Sequence, residues 1–148
     1  MIAVALFAGV TAVPVLAVDT PASLAGIATV DAATVKKWLD SGEKMVILDP
    51  RKDSDYKEKG HIPTAINCPV GTETDIKDDT IAKTVEHLKA CKALAAVDKG
   101  KKIVAYCNGA ACWMSPKAAL ALKKMGYTNV DWFRTGVKEW QEKGFPME

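Results

Sequence analysis

An apolar run that stops at a cysteine constrains this chain more than any other feature. Residues 103–106 read Ile-Val-Ala-Tyr, a β-branched and aromatic run typical of a buried strand, and Cys107 follows. Ser115 and Pro116 have the form of a helix N-cap and a first helical proline, ahead of an apolar stripe that begins at Ala118. Loop amides and the helix dipole then converge on the cysteine and favour its thiolate. Cys107 is therefore the candidate nucleophile, and the alternative is a buried cysteine that only fills space.

Length and charge restrict the remaining possibilities. The 148 residues make one domain's worth of chain, long enough for a core that needs no disulfides. The net charge of +2 and the absence of a basic run argue against a nucleic-acid partner. With no Cys-x-x-Cys pair and two distant histidines, the spacing favours no metal site, and the sequence predicts no cofactor.

The first 17 residues read as a secretory signal peptide. They carry no charge, are rich in Ala, Val and Leu, and end in Val-Leu-Ala, which suits a small-residue cleavage rule. No Lys or Arg precedes the apolar run, and a retained anchor or a buried N-terminal helix are the alternatives. We expect a periplasmic or secreted protein with no membrane contact after cleavage. Residues 18–26 then form a short tail, and residues 27–148 the folded domain.

From residue 27 onward, strand-like and helix-like segments alternate, which is typical of an α/β domain with a parallel sheet. The predicted helices run from the Asp31 cap to about Asp40, from Asp53 to Lys59, from Thr80 to about Ala96, from Ala118 to Met125 and from Val137 to Glu142. The predicted strands are Met45 to Leu48, Ala65 to Cys68, Ile103 to Tyr106 and Val130 to Phe133.

Two groups of motifs resemble the signatures of rhodanese-like domains. The first is Val46-Ile-Leu-Asp-Pro-Arg51, Tyr56 and Gly60-His-Ile-Pro-Thr-Ala-Ile-Asn-Cys-Pro69; the second is Ile103-Val-Ala-Tyr-Cys-Asn-Gly109, Ala118-Ala119, Gly126-Tyr127, Asn129-Val130, Gly136, Trp140 and Gly144-Phe-Pro146. The resemblance implies a three-layer α/β/α sandwich on a five-stranded parallel sheet. It also implies a sulfurtransferase whose cysteine takes a sulfane sulfur from a small donor and passes it to a thiophilic acceptor.

The predicted substrate-binding loop departs from the family pattern. Ser115 lies eight positions after Cys107, two more than the family usually has. All residues of the loop are neutral, namely Asn108, Gly109, Ala110, Ala111, Cys112 and Trp113. Only backbone amides and the helix dipole remain to stabilise an anionic donor there.

Other polar residues are assigned supporting roles. Asp49 and Arg51 flank a strand end, where an ion pair that holds the neighbouring turn is favoured over substrate contact. In the resemblance His61 is structural, and His87 lies among charged residues on a helix. Cys68 falls at a position that is usually aliphatic. A disulfide between Cys68 and Cys91 is compatible with export, but the sequence leaves it open.

Four functions fit these residues. The leading one is an exported sulfurtransferase or persulfide carrier, with Cys112 as a possible resolving thiol or simply a small-residue replacement. The second is a thiol-disulfide redox protein that uses Cys107 and Cys112, served by a redox or sulfur-relay protein. A cysteine phosphatase or arsenate reductase is disfavoured, because Trp113 stands where such a loop needs arginine. A non-catalytic sulfur-binding module is the fourth, and a monomer is expected in each case.

The apolar start generates the first prediction. Because residues 1–17 fit a cleaved leader, we expect the natively expressed protein to begin at Val18 and to be found outside the cytoplasm. N-terminal sequencing of the protein purified from each cell fraction measures this. An intact Met1 in the cytoplasmic fraction would contradict it.

Overall fold

Five strands and six helices alternate along residues 18–148, the part of the chain that the computed structural model describes. The predicted signal peptide lies outside these residues. The strands are β1 (Ala28–Thr29), β2 (Met45–Asp49), β3 (Ile66–Asn67), β4 (Lys102–Tyr106) and β5 (Val130–Phe133). The helices are α1 (Ala32–Asp40), α2 (Asp53–Glu58), α3 (Asp78–Lys89), α4 (Lys92–Ala95), α5 (Met114–Lys124) and α6 (Gly136–Glu142).

All five strands pair in parallel in the order β1-β5-β4-β2-β3, so the predicted α/β fold on a five-stranded parallel sheet is confirmed. The chain moves outward from β2 to β3, then crosses back over β2 to the central β4 and continues to β5. The strand order therefore reverses between β2 and β4. In open parallel sheets, ligands bind outside the carboxyl ends of the strands at such a reversal.

Both faces of the sheet are covered, and β4 shows why its sequence reads as a continuous apolar run. Ile103 and Ala105 belong to a hydrophobic core under α3, α4 and α5, whereas Val104 and Tyr106 belong to a second core under α1 and α6. Successive side chains of a strand point to opposite faces, so a strand buried on both sides needs apolar residues throughout. These four residues are fully buried.

Local cap signals were accurate at one helix and wrong at another. The Asp31 carboxylate accepts a hydrogen bond from the Thr34 amide at 2.8 Å and caps α1, as predicted. Ser115, predicted to cap the helix after the loop, is instead its second residue, because α5 begins at Met114. Pro116 therefore occupies the third helical position, where its missing N–H still costs no intrahelical hydrogen bond.

The segment predicted as one helix from Thr80 to Ala96 is two helices, and a cysteine at the break between them forms a disulfide. The segment after α3 turns at Ala90, and Cys91 stands just before α4 with an extended backbone. This turn carries Cys91 to Cys68, which follows β3, and the structure joins the two as a disulfide with Cα atoms 5.5 Å apart. The strand predicted from Ala65 to Cys68 is correspondingly reduced to two residues.

The helices of residues 18–148 are all too short or too polar to cross a bilayer.

Candidate active site

Cys107 follows β4 directly, at the carboxyl edge of the sheet beside the reversal of strand order. The residue is fully buried. The strand thus delivers the predicted nucleophile to the edge where parallel sheets bind ligands. Its predicted loop partners lie further out: Asn108 and Ala111 are exposed, while Gly109, Ala110, Cys112 and Trp113 are half-buried.

The first turn of α6 holds the start of the loop. The Val137 amide donates to the Cys107 carbonyl at 2.9 Å, and the Lys138 amide donates to the Asn108 carbonyl at 3.0 Å. Gly136 makes this approach possible, since it has a φ of 54° and a side-chain carbon there would overlap the Cys107 carbonyl oxygen. The backbone at and after the candidate nucleophile is therefore fixed by two amides of α6 as well as by β4.

Ser115 is the closest polar partner of the Cys107 sulfur. Its hydroxyl oxygen lies 3.0 Å from Cys107 Sγ, and its amide donates toward that sulfur at 3.4 Å. The Trp132 indole donates to the same hydroxyl oxygen at 2.9 Å. Because an indole N–H only donates, the hydroxyl oxygen accepts from Trp132, and the hydroxyl hydrogen can be donated to the sulfur when the sulfur carries no proton. Two donors thus face the position where a thiolate or persulfide carries its charge.

A buried ion pair lies beside the loop. Arg51 Nη2 is 2.6 Å from Asp49 Oδ2, and both side chains are almost fully excluded from solvent. The Tyr106 hydroxyl donates to the same carboxylate oxygen at 2.6 Å. Arg51 Nη2 also donates to the Gly60 carbonyl at 2.8 Å, while Nη1 donates to the Asn108 side-chain oxygen at 3.3 Å. Arg51 therefore contacts the loop through Asn108, and Asp49 holds Arg51 in place.

Two pKa shifts reflect this environment. Burial alone would lower the pKa of Arg51, but the hydrogen bonds and charge of Asp49 outweigh it and raise that pKa above the ordinary value. Burial, followed by the charge of Asp49, raises the pKa of Tyr106 far above that of a free phenol. Tyr106 therefore stays protonated and remains a donor to Asp49.

A cavity of about 850 Å³ opens in front of the loop. Loop residues form its floor, a segment at residues 72–74 forms one wall, and α6 forms the other. Its charged lining residues are Asp19, Glu73, Lys138, Glu139 and Glu142. Carboxylates outnumber ammonium groups four to one in this lining, so the cavity does not compensate for the missing cation of the loop.

Lys117, which the sequence analysis did not single out, anchors one cavity wall. Its side chain is fully buried on α5, and its ammonium donates to the Gly71 carbonyl at 2.7 Å and to Glu73 at 3.1 Å. A hydrogen bond from its own backbone, and then Lys117, lower the pKa of Glu73. No local pattern indicates this role, because a lysine next to an apolar stripe is ordinarily exposed to solvent.

Cys112 meets Cys107 across the loop. The two sulfur atoms are in contact, and the Cα atoms lie 6.3 Å apart, within the range that a disulfide spans. The Cys112 amide donates to the Gly109 carbonyl at 3.0 Å, which turns the loop back toward its own start. The five-residue spacing thus brings together the two cysteines that the sequence analysis singled out.

Residues after the predicted cleavage site also reach the loop. Thr20 is buried and donates its amide and its hydroxyl to the Ala110 carbonyl, at 2.8 and 2.6 Å. Arg134 donates to the Thr20 carbonyl at 2.7 Å, and the Trp113 indole donates to the Val18 carbonyl at 3.2 Å. No local pattern predicts these contacts, because they join residues 90 or more positions apart.

Neither histidine contacts the sulfur atom of Cys107 or that of Cys112. The His61 ring stacks on Tyr56 with ring centres 3.7 Å apart. His87 is exposed and accepts a hydrogen bond from the Gly71 amide at 3.2 Å. In residues 18–148, no three His, Cys, Asp or Glu side chains converge as a metal site requires.

Comparisons with known proteins agree on one family. A family model of the rhodanese-like domain matches residues 31–143. The tRNA uridine(34) hydroxylase of Burkholderia lata is 32% identical over 119 residues, which cover 77% of this chain and 37% of that protein. Crystal structures of the BH2092 protein from Bacillus halodurans and of a thiosulfate sulfurtransferase from Pseudomonas aeruginosa are similar to this fold. Their TM-scores are 0.63 and 0.57, at 28% and 24% identity, and the alignments cover 82% of this chain and 76% and 20% of those chains.

The chain spans about two fifths of the length of the curated relatives it matches.

The buried ion pair generates the second prediction. Asp49→Asn keeps the side-chain shape but leaves the Arg51 guanidinium buried without its carboxylate. Removing one partner of a buried pair costs about 3 to 5 kcal/mol, so the free energy of unfolding should fall by that amount in a urea titration. Asp53→Asn is the matched control, because its pair with Lys57 is 62% and 67% exposed and should contribute little. Equal losses for the two variants would contradict the assignment.

Proposed function

Because this chain belongs to the rhodanese-like domain family, we propose that it is a sulfurtransferase in which Cys107 takes up a sulfane sulfur and passes it to a thiophilic acceptor. The single observation that carries the proposal is the setting of the Cys107 sulfur. It lies beside a large cavity at the strand-order reversal, with the amide and hydroxyl of Ser115 directed toward it. Hydrogen-bond donors at a sulfur favour its anionic forms, which are the nucleophile and the persulfide product.

In the loading step, the Cys107 thiolate attacks the outer sulfur of the donor. A sulfur-sulfur bond forms on Cys107, the donor's own bond to that sulfur breaks, and the leaving group departs with the bonding electron pair. With thiosulfate the leaving group is sulfite, and with a persulfide it is a thiolate. Ser115 stabilises the charge on Cys107 before the attack.

In the second step, a thiophilic acceptor attacks the outer sulfur of the persulfide and takes it, and Cys107 leaves as the thiolate. When no acceptor is bound, Cys112 acts as the resolving thiol. Its thiolate attacks the Cys107 sulfur of the persulfide, the Cys107–Cys112 disulfide forms, and the sulfane sulfur leaves as hydrosulfide. Cys112 is oxidised while the sulfane sulfur is reduced, so this step needs no further oxidant. A dithiol reductant then restores both thiols by exchange and becomes a disulfide itself. The contact between the two sulfur atoms supports this step.

The donor is proposed to be weakly charged. The loop has no cation, and the cavity lining carries four carboxylates and a single ammonium group. Such an environment disfavours a dianion such as thiosulfate relative to persulfides or polysulfides. The names of the uridine hydroxylase and of the sulfurtransferase reported above give two different activities. The proposal of a weakly charged donor is therefore supported by the charge of this site and not by a relative.

Export is part of the proposal. An uncharged apolar start supports it, and so does the Cys68–Cys91 disulfide, because such bonds persist in oxidising compartments. The dithiol reductant or the sulfur acceptor is then a protein or a small thiol outside the cytoplasm. We propose that the chain acts there as a monomer.

One alternative function has an observation in its favour. A thiol-disulfide redox protein would use the same contact between Cys107 and Cys112 without any sulfane sulfur. The two functions differ in whether Cys107 carries an additional sulfur after exposure to a donor.

The proposed mechanism generates the third prediction. After treatment with a polysulfide, mass spectrometry should find added sulfur on Cys107 in Cys112→Ser, and none in Cys107→Ser. The parent should release sulfide and accumulate a Cys107–Cys112 disulfide that a dithiol removes, whereas Cys112→Ser should keep its persulfide. A parent that forms the disulfide without loading or releasing sulfur would instead support the redox alternative.

The missing cation generates the fourth prediction. A hydrogen bond to a charged group is worth about 1.5 to 3 kcal/mol, so Ala111→Arg should raise kcat/KM for thiosulfate by about one to two orders of magnitude. Ala111→Gln is the matched control, because it adds a long polar side chain without charge. The same kcat/KM in both variants would show that missing charge does not limit the use of thiosulfate.

A further inference from the structure

The loop half that carries Cys112 is bracketed by residues from two distant parts of the chain. Ala110, two positions before Cys112, offers its carbonyl to Thr20. Trp113, the next residue after Cys112, donates its indole hydrogen to the Val18 carbonyl. The backbone before Cys112 and the side chain after it thus both contact the segment at residues 18–21, which we name the N-terminal clamp.

Arg134 fixes the clamp to the sheet. It follows β5 directly, and its guanidinium donates to Thr20 Oγ1 at 3.2 Å, to the Pro21 carbonyl at 2.9 Å and to the Thr20 carbonyl at 2.7 Å. Arginine only donates, so the Thr20 hydroxyl accepts from Arg134 and commits its own hydrogen to Ala110. A continuous and directional chain of hydrogen bonds therefore leads from β5 to the loop.

The two halves of the loop are held by different anchors. The Cys107 half is fixed by the start of α6 and by Arg51, through the Asn108 carbonyl and side chain. The Cys112 half depends on Thr20 and Arg134. None of the clamp's hydrogen bonds involves Ser115, which contacts the Cys107 sulfur from α5.

From this arrangement we propose that Thr20 and Arg134 are positioning residues that hold Cys112 against Cys107. They set the effective concentration of the Cys112 thiol at the Cys107 sulfur and have no part in loading sulfur on Cys107. The proposal rests on the two-cysteine reaction described above. The proposal concerns the Cys107–Cys112 disulfide, whether that bond forms from a persulfide or by thiol-disulfide exchange.

The test measures the Cys107–Cys112 disulfide equilibrium in glutathione redox buffers, with full-length Arg134→Met and Thr20→Val. Alkylation and peptide mapping report each cysteine pair separately. One net hydrogen bond corresponds to about a tenfold change in an equilibrium constant, so we expect the loop disulfide to become roughly tenfold easier to reduce in Arg134→Met. Thr20→Val removes only the hydroxyl and should shift the equilibrium in the same direction by a smaller factor.

Three comparisons separate positioning from general destabilisation. The Cys68–Cys91 pair in the same variants should keep its equilibrium, because the clamp does not touch it. Lys143→Met removes one exposed positive charge and should leave the loop disulfide unchanged. Sulfur loading of Cys107 should be the same with and without Arg134→Met when both proteins also carry Cys112→Ser.

The proposal is overturned if both clamp variants leave the loop disulfide within twofold of the parent, or if the Cys68–Cys91 pair shifts by the same factor. It is also overturned if Arg134→Met lowers loading in the Cys112→Ser background. If Arg134→Met does not fold, Thr20→Val decides the question. A parent protein that never loads sulfur refutes the proposed function. The clamp proposal is still tested in that case, because the disulfide equilibrium in glutathione buffer needs no sulfane donor.

Discussion

The buried pair of Asp49 and Arg51 connects the sheet to the loop, and most of the site depends on it. A carboxylate and a guanidinium are stable in the interior only when nearly every donor and acceptor is satisfied. Here Tyr106 at the end of β4 donates to Asp49, while the two terminal nitrogens of Arg51 donate to the Gly60 carbonyl and to Asn108. These bonds fix two neighbouring strand ends, the turn before Ile62 and the residue after Cys107 as one unit.

The loop built on this unit stabilises negative charge without carrying positive charge. Neutral donors from Ser115 face the Cys107 sulfur, and the nearest buried guanidinium is neutralised by Asp49. The proposal of a weakly charged donor rests on this neutrality, because a dianion would meet carboxylates in the cavity lining and no cation in the loop.

Local sequence signals predicted the elements well, and erred where tertiary contacts outweighed them. Asp31 caps its helix as its residue type and spacing predict, since the capping bond lies within the same turn. Ser115 has the same type of signal, yet its hydroxyl is used by Trp132 and faces the Cys107 sulfur, so the helix begins one residue before it. The long helix predicted after Thr80 is broken where Cys91 turns toward Cys68, a partner 23 positions away.

The sequence by itself determined the alternation of strands and helices, the parallel sheet and the placement of Cys107 at a strand end. Those properties follow from periodicity and from residues within one or two turns of each other. Only the tertiary structure decided which residues surround the loop. Thr20 and Arg134 are 114 positions apart, and Lys117 and Glu73 are 44 apart. Their contacts depend on the strand order and on the course of the connecting segments. Local spacing encodes neither, because periodicity relates only residues within a few turns of each other.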